Sequence, residues 1–204
     1  MRNRVGWLVL LLCLSPLVLA QADGGYYAVR EGKGVEGVGM LGENIAAVKK
    51  AWGEADRVAK EDMYITDLFY EYHHRGALFA TDKTGTIRQI TLYSNTGHTE
   101  QFHQTGLAWM NPSAIYQTFR GVTSKGLQFK DHMTPEDVYA VYGRPEASIP
   151  LGTQVKSKLE EGKSLIVDMG KAGSTIYYPG LGVSFQVFDG MIESCTITGF
   201  GSGQ

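Results

Sequence analysis

Apolar residues along the chain fall into two series that match each other. In the later series, Gly126-Leu127-Gln128-Phe129 alternates as a short strand, and Val138, Val141 and Tyr142 recur at helical spacing before Gly143. Tyr178, Gly182, Phe185, Gly190, Ile192 and Ile197 then keep the alternation of a hairpin. The earlier series repeats this as Gly37-Val38-Gly39-Met40, then Ile45, Val48 and Trp52 before Gly53, then Tyr72, Gly76, Phe79, Gly85, Ile87 and Leu92. Val48 and Val138 stand 90 residues apart, as do Gly53 and Gly143, whereas Tyr72 and Tyr178, Gly76 and Gly182, and Phe79 and Phe185 are each separated by 106. Landmarks that share an offset mark an internal duplication. The change of offset places an insertion in the second copy within Leu151 to Gly173, where the pattern predicts a short helix at Val155 to Glu161 and a strand at Ser164 to Asp168.

Local chemistry agrees with this reading. Asn44 is a residue type that caps a helix by accepting from its first free N–H groups. Thr134-Pro135-Glu136-Asp137 writes the same start more fully, with a hydroxyl cap, proline at the first helical position and acids at the positive end of the dipole. Gly53 and Gly143 supply the left-handed residue that stops each helix. Late in each copy the alternation takes a three-residue step, Ile87 to Ile90 and Ile192 to Cys195, which predicts a β-bulge at both places. Tyr70, Tyr72, Ala77, Phe79, Ile87, Ile90 and Leu92, with Ile176, Tyr178, Val183, Phe185, Val187, Ile192, Cys195 and Ile197, then share the buried phase.

The expected fold is α+β, two tandem repeats, each a short capped helix packed on an antiparallel β-sheet. Its parts are a signal peptide at 1–20, an opening segment at 21–36, the first repeat at 37–94, a connecting segment at 95–124, the second repeat at 125–198 and a flexible tail at 199–204. In the opening segment Tyr26-Tyr27-Ala28-Val29 would add an edge strand. The connecting segment, with Phe102, Trp109, Tyr116 and Phe119, is too aromatic for a free linker and should pack between the repeats.

Arg2 and Arg4, an apolar run from Val5 to Leu14, Ser15-Pro16 and the small residues Ala20 and Ala22 have the layout of a secretory leader cut near Ala20 or Ala22. The run is short against the roughly 20 apolar residues of a membrane span, so no stable membrane insertion of the mature chain is expected. Cys13 follows Leu12, which is not the small residue a lipid-attachment site wants. The mature chain would therefore be periplasmic or secreted. Of the 19 Lys and Arg, the leader removes Arg2 and Arg4, leaving 17 against 21 acids and a net charge of −4. That balance, without a basic cluster, argues against nucleic acid as a partner. Cys195 alone survives cleavage, so no internal disulfide forms and the core must hold the fold.

Candidate chemistry is sparse, and no catalytic residue, metal ligand or cofactor is assigned. His73 and His74, read as neighbours in one strand, leave on opposite faces and cannot share a metal. His98, Glu100 and His103 match no zinc spacing. Gly162-Lys163-Ser164 lacks the first glycine of a phosphate loop, since Ser157 stands there. Cys195 aligns with the core position Ile90, and no Gly-x-Ser-x-Gly elbow occurs.

The twice-written series of short strand, capped helix, Gly-x-Pro exit (Gly143-Arg144-Pro145) and hairpin resembles the tandem modules of β-lactamase inhibitory proteins and the related SmpA/OmlA-like outer-membrane assembly lipoproteins. The first copy departs with Ala55 in place of Pro145. The resemblance implies helices on one sheet face and an opposite face open to another protein. On that open phase lie Phe69, Glu71, His73 and Arg88 from the first copy and Tyr177, Gln186 and Glu193 from the second, the expected partner-binding residues. The expected function is thus an exported, non-catalytic protein-binding module, either an inhibitor of a secreted enzyme or an envelope scaffold. The competing expectation is a small ligand-binding protein or hydrolase using the groove between the repeats, with His73, Glu71 and a nearby Tyr or Ser.

Overall fold

The computed structural model describes residues 25–60, 68–96, 116–151, 154–170 and 173–199. In chain order it holds β1 (Tyr27–Arg30), β2 (Gly34–Val35), β3 (Gly39–Met40), α1 (Ala46–Trp52), β4 (Arg57–Lys60) and β5 (Leu68–Tyr72). A 3-10 turn (His73–Arg75) then leads to β6 (Ala77–Thr81), β7 (Ile87–Tyr93), β8 (Gly121–Thr123), α2 (Pro135–Tyr142) and β9 (Ala147–Pro150). After α3 (Gln154–Glu160) come β10 (Leu165–Asp168), β11 (Ser174–Tyr178), a second 3-10 turn (Pro179–Leu181), β12 (Val183–Phe188) and β13 (Met191–Thr198). The leader, the histidines at 98 and 103, Phe102 and Trp109 lie outside the described residues. Among the described residues no helix is long and apolar enough to cross a membrane.

The expectation of two α+β repeats, each with its own helix-covered sheet, is overturned: the fold is mostly β and its sheets are mixed. Strands of both halves run into one nine-stranded sheet, ordered β4-β5-β6-β7-β13-β12-β11-β10-β9, and β3-β2-β1-β8 form a second, four-stranded sheet. The physical reason is the junction. β7 and β13 would each be an edge strand of a separate repeat, with a free row of N–H and C=O groups. They pair with each other instead, antiparallel, placing Ile90 opposite Ile197 and Leu92 opposite Cys195. Since Ile90 corresponds to Cys195 and Leu92 to Ile197, each residue meets its neighbour's counterpart, which is the pairing of a local two-fold.

Within this sheet the two copies repeat local geometry. In the β6–β7 hairpin the register passes from Ala80↔Gln89 to Thr81↔Ile87, leaving Arg88 as the extra residue. In the β12–β13 hairpin it passes from Gln186↔Ser194 to Val187↔Ile192, leaving Glu193. Both bulges fall at the three-residue steps in the apolar pattern. The turns entering β6 and β12 end on Gly76 (φ 66°, ψ 36°) and Gly182 (φ 65°, ψ 34°), a left-handed conformation costly for any side chain. The insertion in the second copy is α3 and β10, which displaces β9 to the outer edge of the sheet.

One core serves both halves. Phe79, Ile87, Ile90 and Leu92 from the first and Ile176, Phe185, Ile192, Cys195 and Ile197 from the second belong to a single buried cluster, with Val48 of α1 and Val138 of α2. The four-stranded sheet contributes Val29 and Val35, and the connecting segment contributes Phe119. Close approach explains Gly39: a Cβ there would lie 2.5 Å from the Val48 side chain and 3.2 Å from both Ile87 and Phe79. Two details differ from expectation. β1 is an inner strand, paired with both β2 and β8, rather than an edge. Gly53 and Gly143 close their helices at positive φ but with extended ψ (86°, −164° and 82°, 160°), so they turn the chain outward without being left-handed helical residues.

Candidate functional site

The sheet face turned away from the core carries the outward phase of the central strands, and β7 and β13 set its middle. Thr91 and Thr196 face each other across the seam with hydroxyls 3.4 Å apart, and Gln89 reaches Thr91 at 3.4 Å. The Thr175 hydroxyl donates to the Gln186 side-chain oxygen at 2.9 Å. At the end beyond β11, Leu165 and Val167 are buried on this phase, and α3 packs against β10. The outer face is therefore closed at that end rather than open throughout.

Beside the polar middle lies a titratable cluster. Glu71, at the end of β5, is buried, and its Oε2 lies 2.7 Å from Nε2 of His73. Its Oε1 lies 3.8 Å from Arg57 Nε of β4. His73 stands in a 3-10 turn, not a strand, so the argument from strand neighbours does not apply to it. The Tyr116 ring meets the His73 ring edge-on with centroids 4.8 Å apart and stacks on Tyr93 at 3.9 Å. Burial raises the Tyr93 hydroxyl above its usual range, and the charges of Glu71 and Glu193 raise it further.

Glu193 is the extra residue of the β13 bulge, only 5 % exposed, and its Oε1 is buried without a hydrogen bond. Burial pushes its carboxyl up to about 7.

Of the seven partner-binding residues expected, the structure brings Glu71 and His73 into contact, with Tyr116 against the His73 ring, while Glu193 lies next to Ser194, the residue paired with Tyr93. Phe69 and Tyr177 are half-buried on strands in opposite halves of the sheet, and Gln186 is tied to Thr175. Arg88 is exposed and held by Asp82, its Nε at 2.9 Å and Nη2 at 2.6 Å from the same oxygen. It borders a solvent-open cavity of about 320 Å³ lined also by Leu41, Gly42, Ile87, Thr198 and Gly199, at the opposite end of β7 from Tyr93. Tyr93 and Tyr116 were not foreseen. Tyr93 could have been found by extending the outward phase of β7 past Leu92; Tyr116 lies in no strand and carries no such signal.

The chemistry available is limited. Burial raises the Cys195 thiol well above its usual range, so it is no nucleophile. Among the described residues no three His, Cys, Asp or Glu side chains gather as metal ligands.

No family model matches the chain, and no curated protein matches it. A crystal structure of a DUF4309 family protein, YjgB, from Bacillus subtilis subsp. subtilis str. 168 is similar at 17% identity, over 82% of this chain and 87% of that chain, with a TM-score of 0.41. A likeness of that depth carries no argument about fold or function.

Proposed function

We propose that the chain is an exported, non-catalytic protein-binding module whose contact surface is the outer face of the nine-stranded sheet. The observation that carries this is the seam, where antiparallel pairing of β7 with β13 joins the outward residues of both halves on one sheet face. In its middle Thr91 and Thr175 are buried, the half-buried Gln89, Gln186 and Thr196 reach the surface, and the half-buried rings of Phe69 and Tyr177 stand to either side. Donor and acceptor groups with aromatic anchors suit the recognition of a protein surface, a secreted enzyme or an envelope component.

One contact favours the competing reading of a hydrolase or ligand-binding protein: the 2.7 Å pairing of Glu71 with His73, the geometry of a carboxylate orienting a base. Against it, the Glu71 carboxylate is shared with Tyr116, whose ring also covers the edge of His73.

The test is affinity capture from an envelope extract with the wild type and with Phe69→Ser plus Tyr177→Ser, both first shown to be folded. Loss of a specific partner from the double variant is expected. Recovery of every partner by both forms would remove the sheet-face reading.

A further inference from the structure

Glu193 serves none of the contacts above, yet the fold places it at the join between the two halves. Its backbone C=O accepts from Ser94 N–H at 2.9 Å, and its neighbour Ile192 donates to Met133 C=O at 2.7 Å. The same join carries the connecting segment: Phe119 N–H donates to Tyr93 C=O at 2.9 Å, and Ser94 Oγ to Lys130 C=O at 2.6 Å. Glu193 and Ile192 at the β13 bulge therefore bond Ser94, just past β7, and the turn before α2, and Tyr93 and Ser94 in turn bond the segment leading to β8 and that same turn.

We propose that Glu193 is a proton-dependent latch that holds the β7–β13 seam closed when its carboxyl is protonated and loosens it when the proton leaves. Among the described residues, the groups around it supply no counter-charge. From β7 comes the phenol of Tyr93, and beyond it stand Tyr116 and the carboxylate of Glu71, which is itself paired with His73 and Arg57. From the turn before α2, Lys130 is taken by Asp137 at 2.8 Å, Asp131 accepts from the Thr118 hydroxyl, and the exposed His132 places Nδ1 3.0 Å from Thr96 C=O. From β12 the neighbours of the bulge are the uncharged Gln186 and Val187.

A neutral carboxyl tolerates such a site. An ionised one buried with an unfilled oxygen does not, and relief comes by swinging toward water. That movement draws on the backbone of the bulge, whose C=O holds Ser94 N–H, the residue next to the stacked Tyr93. The latch stands whether or not the outer face binds a partner, and it would tune the face to the acidity of an exported compartment.

Amide hydrogen exchange by NMR on the whole mature chain tests it, after correction for the intrinsic pH dependence of exchange. A carboxyl that titrates near 7 in place, against 4.5 when released, implies that opening at Ser94 and Phe119 rises on the order of 50-fold between about pH 5 and pH 8. Glu193→Gln should show no such rise, while His73→Gln should keep it, separating the latch from the histidine. The carboxyl carbon of Glu193 in the wild type gives a second reading that needs no variant and should titrate near neutrality. Equal profiles for wild type and Glu193→Gln, or a Glu193 carboxyl titrating below about pH 5, would overturn the proposal.

Discussion

The two bulges occupy equivalent places in the two hairpins, and the fold treats them oppositely. Arg88 points into solvent and closes an ion pair with Asp82, whereas Glu193 is buried at the seam with an unfilled oxygen. The backbone repeats and the side chains do not. The same split divides the faces of the sheet. The core phase keeps its character in both copies, with Phe79 matched by Phe185 and Ile87 by Ile192. The outward phase has diverged, Phe69 against Thr175, Glu71 against Tyr177 and Leu78 against Ser184. A shared core constrains every inward position because a lost methylene is felt at once. Outward positions answer only to what they meet, so the two halves now differ where a partner or a proton would act.

The strongest way to break this comparison is to attack the shared core from each side. Phe79 and Phe185 are both fully buried, and Phe→Ala at either should cost about 3–5 kcal/mol. Because both lie in one cluster, either variant should still unfold in one cooperative step by circular dichroism and fluorescence in urea. Two separated transitions, with only one displaced, would show that the halves are independent units and that the seam is weak.

A smaller effect should separate the bulges. The folded pKa of Glu193, about 7, is raised above the ordinary 4.5, so the folded state binds the proton more tightly than the unfolded chain. Stability from this group is complete below about pH 4.5, is lost as the pH rises toward 7 and stays lost above it. The full shift corresponds to about 3 kcal/mol at most. Glu193→Leu, which leaves no charge to bury, should therefore stabilise the protein by roughly 1–3 kcal/mol at pH 8 and by little near pH 4.5. Arg88→Leu should change stability by less than about 1 kcal/mol, since an exposed pair contributes little. Denaturant midpoints of both variants across this pH range check it, and a Glu193→Leu variant less stable than wild type at pH 8 would mean the carboxylate is satisfied in solution.

The sequence carried the inward face of the sheet far better than its connections. Burial imposes a period of two, so the apolar phase, its three-residue interruptions at Ile87 to Ile90 and Ile192 to Cys195, and the inserted helix and strand could be read directly. Alternation says which way a side chain points but not which strand lies alongside, so the pairing of β7 with β13 was invisible and the repeats looked like separate units. The four-stranded sheet was hidden for another reason: β2 and β3 are two residues each, too short to show any period. Of the candidate site, Glu71, His73 and Glu193 were legible as outward polar residues. The contacts of Tyr116 with His73 and Glu71 come from a loop and leave no such mark.

The smallest expected effects lie at the helix starts, where equivalent positions use different devices. In α1 the Asn44 side-chain oxygen accepts from Ala46 N–H at 3.0 Å, and its amide donates to Thr84 C=O at 3.2 Å, tying the helix to the β6–β7 turn. In α2 the Asp137 carboxylate reaches back to Thr134, taking its N–H at 2.9 Å and its hydroxyl at 3.1 Å. Burial alone would raise the Asp137 carboxyl, but hydrogen bonds from Lys130 and Thr134 outweigh it and hold it below the usual range. Asn44→Ala and Asp137→Ala should each cost about 1 kcal/mol at neutral pH. The sign of the pH dependence separates them. A depressed carboxyl contributes stability that is present above its unfolded pKa and lost as the pH falls through its folded value. The penalty of Asp137→Ala should accordingly shrink on acidification below about pH 4, while that of Asn44→Ala, an amide, stays constant. Parallel decline of both penalties in acid would show that the helix starts respond to a shared acid transition rather than to their own caps.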